Sequence, residues 1–171
     1  WRELAREEGI GELYFMAVKS FDFPDDSILD HFDGVLLFQP HEAVNSSDYK
    51  GNRAKVEAFL RRLPEKWVEK LRTVRSKVRT KYVIHPYEKV AKIAANRRFR
   101  YKDKDTYNMA FLEWDNTARY KEKATVYHGC TPALFESLMK DLVQREAKEH
   151  EEGCRYVFIN AWNEWAEGTY L

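Results

Sequence analysis

With 171 residues, 44% hydrophobic and 15% aromatic, the chain can bury one sizeable core and form no more than one ordinary domain. Charged residues make up 33% but nearly cancel to +1, which lacks the basic excess of a general nucleic-acid binder. No run reaches the roughly 18 apolar residues of a membrane span, and Cys130 and Cys154 are too few for a disulfide framework, which favours a reduced, cytoplasmic setting.

In chain order, residues 1–8 read as a helix with Leu4 and Ala5 on one side, closed by Gly9 in the left-handed conformation. The continuous apolar run from Leu13 to Val18 predicts a strand covered on both faces. A short helix is expected over residues 26–32, capped by Asp25 or Ser27. Asp33-Gly34 then turns into a second buried strand, Val35 to Phe38, which Pro40 ends. After a loop from Asn45 to Asn52, Val56, Phe59, Leu60 and Leu63, then Trp67, Leu71, Val74 and Val78, recur at helical spacing on either side of Pro64. The Lys- and Arg-rich stretch from Lys66 to Lys81 reads first as a solvated helix face, and second as a patch for an anionic partner such as a polyprenyl phosphate or nucleotide sugar. Trp1 and Trp67 are read as helix-packing residues.

Tyr87 to Asn96 predicts another helix, followed by a polar loop to Thr106 and a third strand from Met109 to Trp114. His85 before it reads as an ordinary surface histidine. Thr131-Pro132 is a cap followed by Pro at the first helical position, and Phe135, Leu138, Met139 and Leu142 give that helix its buried stripe. Gly153 closes the next loop and a fourth strand, Tyr156 to Ile159, begins. Strands alternating with helices make this an α/β chain of βαβ units with a parallel sheet. Because the chain begins at Trp1 inside a helix and stops just after its richest motif, it is expected to be part of a longer protein, so the lack of a signal peptide carries no meaning.

That motif occupies Arg155 to Leu171, RYVFINAWNEWAEGTYL, where an apolar strand gives way to a polar and aromatic cluster. In parallel α/β folds, ligand-binding and catalytic groups gather where the strands stop. Glu164 and Glu167, flanked by Trp162 and Trp165 and preceded by Asn163, read as paired carboxylates in a sugar site whose indoles stack on pyranose C–H faces. Side chains at i and i+3 point to opposite faces of a strand, so the pair converges only if the chain turns after Trp162; Gly168 suits such a bend. The bland alternative leaves both glutamates exposed near a chain end. Asp115, Asn116 and Arg119 follow the third strand on the same face, where they bind sugar hydroxyls or tune a carboxylate; an Asp115–Arg119 pair that merely supports the loop is an equal alternative. Gln39 and His41, with Glu42, follow the second strand toward the same cleft, with loop capping or solvent exposure as the leading explanation of them. Cys130 and Cys154 lack a CxxC or His-rich context, so neither a metal nor a cofactor is indicated.

The strings NAWNEWAEG and FLEWDNTAR, with WRELAREEGIGELYF, FDGVLLFQP and GCTPALFESL, together resemble the glycoside hydrolase family 99-like proteins, including the WbsX type of bacterial polysaccharide gene clusters, over nearly the whole chain. The resemblance implies that residues 1–171 are the C-terminal half of a (β/α)8 TIM barrel, a single partial domain of four parallel strands alternating with helices, with the N-terminal strands absent. A half-barrel exposes strand edges, so self-association is expected. The resemblance also implies an endo-α-mannosidase-like mechanism. Glu164 would deprotonate the sugar 2-hydroxyl to give a 1,2-anhydro intermediate, and Glu167, its pKa raised by burial against Trp162 and Trp165, would protonate the leaving oxygen. The family's characterised mannosidases place a histidine where this chain has Ala166. The leading expectation is a glycosidase acting on α-linked, mannose-like oligosaccharide or polysaccharide in bacterial surface polysaccharide metabolism. The alternatives are a WbsX-type glycosyltransferase of O-antigen (lipopolysaccharide) or capsule synthesis, peripheral to the inner membrane, and a non-catalytic sugar-binding barrel.

Overall fold

The fold is that of a computed structural model, described for residues 1–21, 25–51 and 82–170. The helices expected around Pro64, the basic stretch from Lys66 to Lys81, and Trp67 lie outside the described residues.

Helix α1 (Arg2–Glu7) ends at Gly9, whose φ of 71° is the left-handed value expected for a glycine terminator. Its packing side is Ala5; Trp1 is 86% exposed, which corrects its reading as a packing residue. Strand β1 (Met16–Lys19) is shorter than its apolar run and buries alternate residues, Ala17 and Lys19, while Val18 is 54% exposed. The expectation of a strand covered on both faces is thereby corrected. Among the described residues β1 pairs only with β2, on one edge, and one of its two inward positions is Lys19, whose amine donates to the Phe21 carbonyl at 3.2 Å and lies over the Phe99 ring.

A 3-10 helix (Asp26–His31) is capped by Asp25, whose carboxylate accepts from the Ser27 amide at 2.9 Å. Strand β2 (Gly34–Leu37) is buried at all four positions. After β2 comes the short helix α2 (His41–Asn45), and within the loop expected from Asn45 to Asn52 a second one, α3 (Ser47–Lys50), is capped by the Ser46 hydroxyl on the Tyr49 amide. Strand β3 (Val83–Pro86) leads into α4 (Tyr87–Asn96) with the bounds that the periodicity predicts. There follow β4 (Asp105–Tyr107), β5 (Met109–Phe111), β6 (Trp114–Asp115), α5 (Thr117–Tyr120) and β7 (Thr125–His128). Helix α6 (Pro132–Glu149) starts as expected, with the Thr131 hydroxyl accepting from the Leu134 amide and Pro132 in its first turn. It buries Leu138 and Leu142, with Phe135 and Met139 partly covered beside them. Strand β8 (Phe158–Asn160) precedes a closing hairpin of β9 (Asn163–Glu164) and β10 (Thr169–Tyr170).

The strands expected from the sequence appear as β1, β2, β5 and β8 with shifted bounds; the third, expected over Met109 to Trp114, stops at Phe111, and Trp114 pairs antiparallel in another sheet. β1, β2 and β4 form one sheet in that order, and β5 pairs with β8. Asn108 separates β4 from β5 for a visible reason. Its buried carboxamide accepts from Gln39 Nε2 at 3.0 Å and from the Met109 amide at 2.9 Å, and donates to the Ala94 carbonyl at 2.7 Å, substituting side-chain bonds for the ladder. A second sheet, β3-β7-β6, has no counterpart in the sequence reading; β7 runs parallel to β3 and antiparallel to β6. The fold is mixed α/β with parallel strands, and no closed barrel forms among the described residues. The largest core cluster joins α4, α6 and the β5–β7 region through Tyr87, Val90, Phe111, Trp114, Tyr127, Leu138 and Leu142. Ala17, Leu29, Val35 and Leu37 pack on one side of the first sheet, and Leu36, Tyr107 and Met109 form a separate cluster.

Candidate functional site

The site is built from the C-terminal ends of β2, the β5–β6 stretch and β8. Gln39, just past β2, is fully buried. Its Oε1 accepts from the Ala43 amide at 3.0 Å, its Nε2 donates to Asn108, and its carbonyl accepts from Asn160 Nδ2 at 2.8 Å. One residue therefore caps α2 and ties together the ends of three parallel strands. With its amide engaged at both ends, Gln39 is a structural joint under the site, which fits the capping explanation. Glu42 serves similarly: almost fully buried, it takes a forked ion pair from Arg97 at 2.6 to 3.2 Å, which also reaches Asp48 at 3.1 Å.

His41 lies near Glu167 at the end of β2. Its ring is half-buried among Phe38, Trp114 and Phe21, with centroid separations of 5.6, 6.0 and 6.4 Å. Burial pushes its pKa below the ordinary histidine value, while the nearby Glu167 carboxylate pulls it the other way. Asp115 and Asn116 act first on their own loop: Asp115 Oδ1 accepts from the Thr117 amide and Asn116 Oδ1 from the Thr125 amide, both at 2.8 Å. Arg119, on α5, reaches Glu167 rather than Asp115, with 3.2 Å between Nη1 and Oε1.

That contact fixes the last element. The chain turns after Trp162 as convergence requires. Asn163 and Glu164 form β9, a 3-10 turn carries Trp165 to Glu167, and Gly168 at φ 61° in the left-handed region brings Thr169 and Tyr170 back opposite Glu164 and Asn163. Gly168 also packs on the Asp115 backbone, where an added Cβ would stand 3.4 Å from the Asp115 carbonyl oxygen. The two glutamates differ sharply in setting, Glu164 exposed and Glu167 buried against Arg119, whose own side chain stays exposed. Trp162 and Trp165 are 68% and 72% exposed, so they do not supply the burial of Glu167 that the sequence reading assigned to them; contact with α5 and the Asp115 loop does. Glu167, Arg119, Asp115 and His41 are brought together, and Glu164, Asn163, Trp162 and Trp165 stand outward on the same hairpin. Among the described residues no group of three His, Cys, Asp or Glu side chains converges as metal ligands do, and Cys130 and Cys154 are free thiols.

Three features escaped the sequence reading. His85 is not an ordinary surface histidine: its Nδ1 lies 2.6 Å from the Tyr49 hydroxyl and its ring stacks on Tyr127, a partnership that only the second sheet creates. Asp103-Lys104-Asp105 spells D-x-D, a pattern associated with sugar-donor sites. It lies at the start of β4, opposite the strand ends that bear the hairpin, and Asp105 there accepts from Tyr14 and neighbours His150. Glu113, inside the FLEWDNTAR string, pairs with His128, two residues that no spacing rule connects.

The family model described as Glycosyltransferase WbsX matches residues 1–171. The chain belongs to the WbsX glycosyltransferase family. It is also 27% identical over 171 residues to the WxcX proteins of two strains of Xanthomonas campestris pv. campestris, whose own role is uncharacterized; the match covers 100% of this chain and 21% of theirs. The chain thus spans about a fifth of the length of those relatives. No solved structure matches. Membership of the WbsX family bears out the resemblance on which the sequence reading rested, and it favours transfer over the glycosidase that reading put first.

Proposed function

We propose that this WbsX-family chain belongs to a carbohydrate-active enzyme that transfers a sugar onto a glycan acceptor during synthesis of a bacterial surface polysaccharide. Residues 1–171 would supply the C-terminal half of a (β/α)8 barrel completed by the rest of the protein. The observation that carries the reading is the Arg119–Glu167 contact, which docks the hairpin bearing Glu164 on the strand ends beside His41 and Asp115. It turns a run of letters at the chain's end into a shaped, acidic and aromatic surface at the place where parallel α/β folds carry their sites.

In this proposal Glu167, held by Arg119, faces the reacting sugar and stabilises the positive charge that develops at its anomeric carbon, as preorganised charges do in glycosyl chemistry. Glu164, exposed beside it, binds sugar hydroxyls and shares that electrostatic work. Trp162 and Trp165 offer open indole faces for pyranose rings, and Asn163, Asp115, Asn116 and His41 complete the polar lining. The work takes place on the cytoplasmic side, at the inner membrane surface where lipid-linked glycans are extended. The mannosidase-like reading, with Glu164 as base and Glu167 as acid, remains the second one. The three-residue spacing of the glutamates on a turned segment favours it.

The test uses the full-length protein with α-mannan oligosaccharides, a nucleotide sugar and H₂¹⁸O, with products read by mass spectrometry. Lengthened, unlabelled products are expected. Shortened products carrying ¹⁸O would replace transfer with hydrolysis.

A further inference from the structure

We propose that Glu113 and His128 form a second catalytic unit of this site, in which the His128 imidazole takes the proton of the attacking acceptor hydroxyl and Glu113 positions it. The inference rests on the transfer reading above and supplies what that reading lacks, a base.

The geometry is specific. Glu113 follows β5 and His128 ends β7. The β6–β7 ladder pairs Trp114 with Tyr127 and Asp115 with Val126, so its next step brings Glu113 beside His128. Glu113 Oε1 lies 2.7 Å from His128 Nδ1 and also accepts from the Gly129 amide at 2.9 Å. Gly129 has a φ of 91°, a backbone state that disfavours any side chain, and that turn is what aims its N–H at the carboxylate. A carboxylate only accepts hydrogen bonds, so Nδ1 carries the hydrogen, and in the neutral ring the lone pair is left on Nε2. Glu113 thus sets the tautomer and the ring orientation while His128 remains exposed.

The placement also fits. The dyad is two ladder positions from Asp115, about 7 Å at the usual strand rise, and Asp115 is the residue on which Gly168 of the Glu164–Glu167 hairpin packs. Side chains two positions apart on a strand point to the same side, so Glu113 and Asp115 share one face of the β5–β6 stretch. Glu167 is already committed to Arg119, which leaves the dyad as the oriented base nearby. In the step itself, the acceptor oxygen forms the new bond to the anomeric carbon of a glycosyl phosphate donor as the bond to the phosphate oxygen breaks. The bonding pair leaves with the phosphate, and the hydroxyl proton passes to His128 Nε2 and then to water.

The test compares the full-length protein with His128→Ala and Glu113→Gln, using the acceptor and donor of the assay above. His128→Ala is expected to lower kcat by roughly 10²- to 10⁴-fold, the usual worth of a general base, with the acceptor KM little changed, and added imidazole is expected to restore part of the rate. Glu113→Gln should lose less, since the ring remains. If His128→Ala fails to fold, His128→Asn keeps a donor toward Glu113 without the base and should show the same loss. Turnover of either His128 variant within about twofold of the parent, or a loss that falls on KM and resists imidazole, overturns the proposal. If the parent hydrolyses instead of transferring, the transfer reading fails while the same comparison still decides the dyad, because water is then the hydroxyl that loses its proton. No turnover by the parent contradicts both.

Discussion

Glu167 and His41 define the electrostatics of the site, and each reports on the other. Burial among Phe38, Trp114 and Phe21 favours the neutral imidazole of His41, and Glu167 opposes this. In an NMR titration His41 should therefore titrate below the ordinary histidine value of about 6.5, and in Glu167→Gln it should titrate lower still, because the attraction is gone and burial is not. The sign for stability follows. With a depressed folded-state pKa, His41 contributes stability that is present above about pH 6.5 and is lost as pH falls toward the folded value, since the unfolded chain then binds the proton more readily. A His41 midpoint unmoved by Glu167→Gln would mean that the two groups do not share a site. At this scale the sequence was legible where chemistry is local. Gly168 marked a bend at the end of the motif, whereas the pairing of that segment into a hairpin was not foreseen and the Arg119–Glu167 and Glu113–His128 contacts join residues 48 and 15 positions apart, which a linear reading has no means to pair.

At the scale of elements, periodicity and caps carried far. Helix α4, the start of α6 and the Asp25-capped turn are where apolar spacing and cap residues put them, and β1, β2, β5 and β8 overlap the four expected strands with shifted bounds. The second sheet was missed because its strands have little apolar signature: β3 alternates half-buried and exposed residues and ends on a proline, and β7 sits among charged neighbours. What anchors these elements is polar and nonlocal. Arg97, at the end of α4, neutralises the buried Glu42 of α2. Arg97→Ala, which strands that carboxylate, should cost about 3–5 kcal/mol in urea unfolding, against no more than about 0.5 kcal/mol for Lys92→Ala, whose pairing with Glu88 is an exposed i,i+4 contact. Equal losses would show that the buried pair is not the anchor.

For the whole molecule, the proposed half-barrel would take the parallel sheet β1-β2-β4 and the parallel pair β5-β8 as parts of a ring that further strands complete. Val18 on the edge strand, with Trp162 and Trp165 on the hairpin, leaves apolar surface open to solvent. The half-barrel proposal therefore predicts that residues 1–171, expressed alone, self-associate with rising concentration in sedimentation and turn over no glycan. A monomeric, active 171-residue protein would mean that the site is complete without further strands. Closure was not legible in the sequence, and among the described residues β1 and β8 each pair along one edge only.

The most direct measurement of the central claim, that the closing hairpin and the strand ends form one sugar-transferring site, is the rate of glycan extension by the full-length protein and its Glu164→Gln and Glu167→Gln variants, alongside their affinity for the acceptor oligosaccharide. Each substitution should lower the rate by about 10²-fold or more, the usual worth of a preorganised charge at the reacting centre, with acceptor affinity largely kept. Extension at the parental rate in both variants would contradict the claim and place the chemistry elsewhere in the protein.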